Sequence, residues 1–328
     1  MAALTRVFLM LLLVGLASLA QAQAPELRNW GRWGDDDQRG AANFITPARV
    51  AAAAKLIERG AVFPLGIAID GKGPIFPGRT RPTLTTAVSG ADYAAGHGNA
   101  NLKFADDYLF MPLQGATQWD ALSHSWYGDS LYNGVPESAV ASGGVGGATR
   151  LGIENVKGSM VGRGVLVDIV ALKQAPLAPG YQITREDIEG ALKKQGTEVL
   201  PGDIVLFRTG YVEAFYAIDD PVKRTEFLVG PAAGLGSKTI PWIHEKQIAA
   251  VAADNVALEA ILPGGLSPGA SLHGALLKDM GVYIGEIWWL ADLAADCAKD
   301  GRYEFFLAAQ PLHIPGGVGS PLNPVAIK

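Results

Sequence analysis

The sequence predicts an α/β fold built on a mixed sheet, and three features support this prediction. Largely apolar segments of strand length occur at residues 164–172 and 202–210, as expected of strands that are buried on both faces. Segments with clear helix start and stop residues alternate with strand-like segments through the second half of the chain. Apolar residues also make up 49% of the 328 residues, which is enough to build a substantial core.

The first predicted helix has well-defined ends. Thr46 is a favourable N-cap, Pro47 suits the first turn, and an Ala-rich run continues to Arg59 before Gly60. The region that follows, residues 71–98, is rich in Gly, Pro and Thr. We therefore predict loops with short strands there, arranged as a flap over a site.

Strands and helices then alternate towards the end of the chain. One helix has a particularly clear start, because Thr184 is followed three residues later by Asp187. The predicted elements, in order, are strand 164–172, helix 184–194, strand 202–210, helix 242–246, strand 248–253, helix 271–280, strand 282–284, a helical stretch from 287, and a last strand 303–308. Since neither an internal repeat nor a convincing linker interrupts this order, we predict one domain spanning residues 23–328.

The first residues have the pattern of a secretory signal peptide. Arg6 gives a basic start, residues 7–19 are apolar, and Ala20-Gln21-Ala22 forms a small-residue cleavage site. The apolar run is shorter than the ~20 residues that a membrane-spanning helix needs. We therefore predict a signal peptide at residues 1–22, a periplasmic or secreted location, and no membrane association after cleavage.

Charge and cysteine content exclude several classes of function. The formal net charge is −5, so the chain lacks the positive charge that nucleic-acid binding requires. Cys297 is the only cysteine, which excludes an intramolecular disulfide and a thiolate metal cluster. We therefore predict no nucleic-acid partner, and the partner that we expect is a small-molecule substrate.

Four polar residues stand at even separations in the middle of the chain: Gln114, Gln118, Asp120 and His124. Side chains alternate between the two faces of an extended segment, so all four are able to point the same way. A fully extended run from Gln114 to Asp120 covers roughly 20 Å, too far to share one ion or substrate atom. The chain must therefore bend, and we place the bend at Gly115-Ala116.

This stretch resembles the signature of the cyclase-type metal-dependent hydrolases, the family of bacterial kynurenine formamidase and isatin hydrolase. The family pattern is His-x-Gly-Thr-His-x-Asp-x-Pro-x-His, and Gln114 and Gln118 occupy the positions of its two leading histidines. Asp120 and His124 occupy the positions of its bridging carboxylate and its catalytic histidine. The resemblance covers roughly residues 105–325 and implies a swivelling β/β/α fold with mixed sheets and a homodimer or homotetramer.

The resemblance also implies a divalent metal ion bound by Asp120, His273 and Glu286. Gln118 and Gln114 would be weak ligands or would hydrogen-bond substrate, because an amide oxygen binds zinc less well than imidazole and suits Mg²⁺ or Mn²⁺ better. The expected ion is therefore Mn, Zn or Mg.

These residues lead to one main functional hypothesis and two alternatives. The main one is an arylformamidase-like hydrolase of an amide, imide, formamide or lactone bond, in which a water on the ion attacks and His124 is the general acid or base. Trp126 and Tyr127 follow His124 and are candidates for binding a planar substrate. The alternatives are a metal-free lyase, isomerase or dehydratase that uses Asp120 and His124, and a non-catalytic periplasmic ligand-binding protein on the same fold.

Overall fold

A long mixed sheet organises the chain, whose computed structural model describes residues 27–76, 78–97, 101–141, 147–265 and 271–328. The strands of the described residues are β1 Val62–Pro64, β2 Thr83–Val88, β3 Asp106–Phe110, β4 Gln118–Asp120, β5 Val161–Asp168, β6 Gln182–Ile183, β7 Ile204–Arg208, β8 Gly234–Leu235, β9 Ala250–Ala253, β10 Tyr283–Glu286, β11 Glu304–Ala308, β12 Gly319–Pro321 and β13 Val325–Ile327. The signal peptide predicted for residues 1–22 lies outside the described residues.

Helices connect most of these strands. The α-helices are α1 Pro47–Ala54, α2 Gly90–Ala94, α3 Ile169–Lys173, α4 Arg185–Gln195, α5 Tyr211–Tyr216, α6 Pro221–Val229, α7 Ile240–Glu245 and α8 Ala291–Asp300, and a π-helix spans Gly274–Met280. Short 3₁₀ turns occur at Gly40–Phe44, Tyr132–Gly134, Glu137–Ala139, Ile153–Val156 and Ser237–Thr239. Within these ranges, no helix is both long and apolar enough to cross a membrane.

Nine of the strands form one sheet in the order β1-β13-β11-β5-β7-β9-β10-β4-β12. Its centre, β5-β7-β9-β10, is parallel, and every pairing outside that centre is antiparallel. The central strands are almost entirely buried, as parallel strands covered on both faces should be. The predicted α/β fold with a mixed sheet is therefore confirmed, and two small sheets, β2-β3 and β6-β8, complete it.

Two predicted elements in the first half differ in extent from the structure. Helix α1 begins as predicted, with Thr46 accepting a hydrogen bond from the Arg49 amide, but it ends at Ala54 instead of Arg59. The chain leaves the helix there because the amides of Arg59 and Ala61 bind the carbonyl of Lys328. The segment predicted as strand 164–172 is a strand only to Asp168, whose carboxylate caps α3 by accepting from the Ala171 amide.

The second half also contains three differences. The helix predicted for 271–280 is a π-helix that starts at Gly274, while Gly281 ends it in the left-handed conformation as expected. The helical stretch predicted from Ile287 begins only at Ala291, so Glu286 is the end of a strand and caps no helix. β11 is not the last strand, since β12 and β13 follow in the Pro- and Gly-rich tail.

Close packing around Gly285 holds β10 between its neighbours. A Cβ atom at Gly285 would lie 2.6 Å from the Cβ of Ala252 and 2.7 to 2.8 Å from the rings of Trp119 and Trp288. Those two indoles meet edge to face with centroids 4.9 Å apart, and both are fully buried. Only glycine therefore permits the strand that ends in Glu286 to approach both β9 and β4.

We predict that Gly285→Ala destabilises the fold by about 1–3 kcal/mol, the usual cost of overpacking a rigid core. The free energy of unfolding from urea titration measures this effect. Gly158→Ala is the matched control, because a Cβ at Gly158 meets no atom within 4 Å and its change should stay within about 0.5 kcal/mol of zero. Equal stability of the two variants would contradict the packing argument.

Candidate active site

The register between β4 and β10 brings the first site residues together. Glu286 pairs with Gln118, and Asp120 pairs with Ile284 two residues further along. Before β4, the expected bend is present at residues 115–117, and Gly115 donates to the carbonyl of Pro112. The side-chain amide nitrogen of Gln118 then donates to the carboxylates of Glu286, at 2.7 Å, and Asp120, at 3.4 Å.

His273, which immediately precedes the π-helix, also lies next to these side chains. Its Nδ1 lies 2.7 Å from Glu259 Oε1, and its Nε2 lies 3.2 Å from Glu286 Oε1 and 3.7 Å from Asp120 Oδ2. The Glu259 carboxylate also accepts hydrogen bonds from the Ser271 hydroxyl and the Leu272 amide. Glu259 therefore orients the imidazole so that Nε2 faces Asp120 and Glu286.

Burial and charge alter the protonation of this group. Burial raises the pKa of Asp120 to about 6, against the opposing effect of His124. Burial alone lowers the pKa of His273, but its hydrogen bonds to Glu259 and Glu286 outweigh burial and raise it to about 10. Burial also opposes ionisation of Glu259, whose pKa is nevertheless lowered because its carboxylate accepts from His273. The described arrangement thus favours a positive charge between the three carboxylates.

His124 and Arg79 lie at the edge of this group. His124 Nε2 is 3.7 Å from Asp120 Oδ1, and its side chain is 21% exposed, whereas that of Asp120 is fully buried. Burial lowers the pKa of His124, more than the opposite effect of Asp120 raises it. Arg79 donates to the carbonyl of Gln114 at 3.1 Å, and its charge lowers the pKa of both Asp120 and His124. A neutral imidazole and a guanidinium therefore lie beside the carboxylates.

Two bulky residues next to the site have left-handed backbone conformations. Leu258, with φ of 54°, precedes Glu259, and Ile287, with φ of 61°, follows Glu286. Both are fully buried, and bulky residues adopt this conformation only at a cost of order 1–3 kcal/mol. The amide of Ile287 donates to the Asn255 carbonyl, and its own carbonyl accepts from the Thr117 hydroxyl. Tertiary contacts thus hold the backbone conformation that aims the two carboxylates.

Three buried polar atoms of the site have no hydrogen-bond partner among the described residues. They are Gln114 Nε2, Gln118 Oε1 and Asp120 Oδ2. The Gln114 amide packs against Gly319 of β12. A Cβ atom at Gly319 would lie only 2.6 Å from the amide nitrogen, so this position requires glycine. Unpaired buried atoms of this kind cost free energy unless a ligand satisfies them.

The donor atoms fit a divalent cation. Asp120, His273 and Glu286 each offer one ligand atom, and these atoms lie within 4.8 Å of one another. Even with His273 protonated, the three buried carboxylates leave a net negative charge, which a cation would neutralise. Glu259 on Nδ1 leaves Nε2 as the ligand atom, and rotation of the Gln118 amide would turn its unpartnered oxygen towards the same point. The residues present are therefore compatible with an ion at this position.

The two aromatic residues predicted to bind substrate lie beyond His124. The indole N–H of Trp126 donates to Glu137 at 3.0 Å, and the hydroxyl of Tyr127 donates to Asp279 at 2.7 Å. Lys278 lies over the Tyr127 ring, 4.1 Å from its centroid. Both side chains are therefore held in place, with their polar atoms already paired.

Sequence reasoning identified Asp120, His124, His273 and Glu286 but missed Glu259 and Arg79. Glu259 is the one carboxylate in the apolar run that follows Asn255, and an acid in such a run indicates a buried partner. Arg79 lies within the predicted flap, where nothing in the sequence distinguishes it from a solvated loop residue. Its contact with Gln114 becomes visible only in three dimensions.

Comparison with protein-family profiles identifies the family of this chain. The profile of the Cyclase family, described as "Putative cyclase", matches residues 32–260. This chain belongs to the Cyclase family. A solved structure described as a novel cyclase agrees with this membership, since it is 62% identical, has a TM-score of 0.87, and the match covers 92% of this chain and all of the other. Comparison with the curated proteins gives no significant match.

More distant solved structures share the fold of this family member. Isatin hydrolase A from Labrenzia aggregata, bound to benzyl benzoate, matches at 19% identity and a TM-score of 0.59 over 84% of this chain and 94% of its own. A "predicted metal-dependent hydrolase" from Bacillus stearothermophilus matches at 18% identity and a TM-score of 0.51 over 81% of this chain and 97% of its own. The cyclase-like fold that the resemblance implied is therefore confirmed.

We predict that Glu259→Gln lowers the pKa of His273 from about 10 towards its ordinary value of 6.5, because the variant loses the carboxylate on Nδ1. NMR titration of the imidazole signals in chelator-treated protein measures this change. Stability from the His273 contacts is present below pH 6.5 and is lost as pH rises through about 10, so the variant should show a smaller loss over that interval.

The exposed Glu189, which pairs with Arg185 on the surface, provides the control. Glu189→Gln should leave the His273 titration unchanged. An identical His273 pKa in wild type and Glu259→Gln would refute the positioning role of Glu259.

Proposed function

We propose that this protein is an exported, cation-dependent hydrolase that opens an amide, imide, formamide or lactone bond of a small substrate. Family membership and the folds of the related structures support a hydrolase-like function. The single observation that carries the proposal is the convergence of Asp120, His273 and Glu286 on one point, with Glu259 orienting the imidazole. His124 lies beside this point and is partly exposed, where a substrate is able to reach it.

In this proposal Asp120, His273 and Glu286 would hold the ion, and Gln118 would contribute its amide oxygen as a weak ligand. When bound, the ion supplies Lewis acidity, which polarises a carbonyl and lowers the pKa of water. Mn²⁺ or Mg²⁺ suits a donor set with two carboxylates and an amide, while Zn²⁺ suits it less because only one imidazole is present.

The remaining steps belong to side chains of the chain itself. Nε2 of His124 takes a proton from the attacking water and returns it to the leaving nitrogen or oxygen, which suits an imidazole that stays neutral near pH 7. The unpartnered amide N–H of Gln114 donates to the substrate. The positive charge of Arg79 stabilises the developing oxyanion and the product carboxylate. The rings of Trp126 and Tyr127 form a wall for a planar substrate.

A metal-free lyase, isomerase or dehydratase is the second candidate, and one observation favours it. The Gln118 amide already bridges Asp120 and Glu286 through two hydrogen bonds, so the carboxylates have a neutral partner without an ion. In this case Asp120 and His124 would carry out acid/base chemistry directly. Substrate binding without turnover would instead indicate a ligand-binding protein on the same fold.

We predict that substitutions of the metal ligands and of the proton-transfer residue differ in their effects on metal content and turnover. Asp120→Asn and Glu286→Gln should abolish both metal content and turnover, whereas His124→Gln should retain the metal and lower turnover by about 10²- to 10⁴-fold. Plasma mass spectrometry measures the metal, and a screen of aromatic amides, imides and lactones measures turnover. His313→Gln, at an exposed position in the tail, is the control and should change neither.

Negligible metal after gentle purification, with no added divalent ion restoring turnover, would rule out the cation-dependent mechanism. If such a protein still converted a substrate and lost this activity in Asp120→Asn, the metal-free enzyme would replace it.

We predict that Gln118→His strengthens Zn²⁺ binding by about tenfold or more relative to Mn²⁺, because imidazole is the better zinc ligand. Competition with a chromogenic chelator measures both affinities. Gln182→His, at an exposed position of β6, controls for adventitious binding by a new histidine. An unchanged preference between the two metals would show that position 118 does not contact the ion.

A further inference from the structure

A pocket of about 360 Å³ lies at the carboxyl ends of β5 and β7, which are neighbouring parallel strands. We call it the β7 pocket, because residues 208–211 at the end of β7 form part of its lining. Its volume lies within the range of about 300–1,000 Å³ that is usual for small-molecule sites. Ligands of α/β sheets commonly bind at this edge, outside the carboxyl ends of the strands. The size and position of the pocket are therefore those of a ligand site.

The β7 pocket is separate from the candidate active site. In the described part of the chain, neither the carboxylates of Asp120, Glu259 and Glu286 nor the imidazoles of His124 and His273 line it. The candidate active site lies at β4 and β10, and β9 separates β10 from β7 in the sheet. Strands two positions apart in a sheet are roughly 10 Å apart. The pocket therefore adjoins the candidate active site without sharing its residues.

Much of the pocket wall is apolar. The rings of Tyr211 and Phe227 form part of it, with their centroids 4.8 Å apart. Other apolar side chains of the wall are Val170, Leu177, Ala214, Pro231 and Ala232. A hydrophobic ligand gains free energy when it displaces water from a surface of this kind. The wall therefore favours a ligand with an apolar body.

The charged residues of the pocket already pair with one another. All three guanidinium nitrogens of Arg208 are used, because Nε and Nη2 donate to Glu213 at 2.8 and 2.9 Å and Nη1 donates to Asp168 at 3.1 Å. Two carboxylates thus surround one guanidinium, which leaves no positive charge for an anionic ligand. Burial of a charged ligand without a partner would be costly. The pocket therefore favours a neutral ligand.

One polar group of the wall has no partner. Tyr211 is only 6% exposed, and its hydroxyl makes no hydrogen bond to any described residue. By contrast, the Thr209 hydroxyl in the same wall donates to Asp254 at 2.6 Å. A buried hydroxyl without a partner costs free energy, which a ligand that binds it would recover. Since a phenol is both a donor and an acceptor, a hydroxyl or a carbonyl on the ligand would satisfy it.

We propose that the β7 pocket is a second binding site of this protein, for a neutral small molecule with an apolar body and one hydroxyl or carbonyl group that hydrogen-bonds to Tyr211. The site is distinct from the cation site of the proposed hydrolase. Its ligand is recognised by shape, by the absence of charge and by one hydrogen bond.

Calorimetric titration of the full chain with three probes of one shape tests the proposal. 2-Naphthol is neutral and has the required hydroxyl, naphthalene has no polar group, and 2-naphthoate has a charged one. We expect one molecule of 2-naphthol to bind per chain. Naphthalene should bind about three- to tenfold more weakly, which is the usual effect of one neutral hydrogen bond. 2-Naphthoate should bind about tenfold more weakly or worse, because its charge has no partner.

Two variants that each lose one unpartnered buried hydroxyl locate the binding site. Tyr211→Phe should lower the affinity for 2-naphthol by about three- to tenfold and leave that for naphthalene unchanged. Tyr283→Phe makes the same change in β10, outside the pocket, where the hydroxyl also has no partner among the described residues. This control should bind all three probes as wild type does. Neither variant removes a hydrogen bond that the structure shows, so both should fold.

Amide hydrogen exchange of the wild type provides a measurement that does not depend on a variant. Saturating 2-naphthol should slow exchange in α5 and leave exchange in α1 unchanged. The absence of 2-naphthol binding, equal affinity for the three probes, unchanged affinity in Tyr211→Phe, or unchanged exchange in α5 would each overturn the proposal. All these measurements report binding, so they remain informative if the protein proves not to be a hydrolase.

Discussion

The concentration of negative charge around one imidazole is the constraint on which the site depends. Asp120, Glu259 and Glu286 come from β4, from the loop after β9 and from the end of β10, and they converge on His273. Buried carboxylates are costly unless paired. The close contact at Gly285, the register of β4 on β10 and the hydrogen bonds to Glu259 all keep the carboxylates near their partner. These features of the surrounding fold therefore hold the three carboxylates close to His273.

The two glutamines give the site a property that two histidines would not give it. A histidine at position 118 would offer a lone pair to a cation, whereas the Gln118 amide is able to donate to two carboxylates or, after rotation, to offer its oxygen. Gln118 therefore pairs with both carboxylates through its amide nitrogen, while its own oxygen and Asp120 Oδ2 keep no hydrogen-bond partner among the described residues. Gln114 differs, because its amide nitrogen has no protein partner among the described residues and is free to contact a ligand.

The sequence predicted the buried strands at the centre of the mixed sheet, because β5, β7 and β9 contain largely apolar runs of the kind that a strand covered on both faces needs. Asp120, His273 and Glu286 were predicted through family spacing, and the structure brings them together. Glu259 and Arg79 were missed because their partners are distant in sequence or lie beyond a loop. Strand β12 was missed because its three residues, Gly-Ser-Pro, have no strand pattern and depend on pairing with β4.

The left-handed conformations of Leu258 and Ile287 have a consequence for heat inactivation. Each stores unfavourable backbone energy immediately beside a site carboxylate, and only the surrounding core offsets it. A small loosening of that core would allow both residues to relax to ordinary backbone angles, and Glu259 and Glu286 would then swing away from His273. The site should thus disassemble before the sheet melts, so that the temperature at which the protein stops working lies below the temperature at which it unfolds.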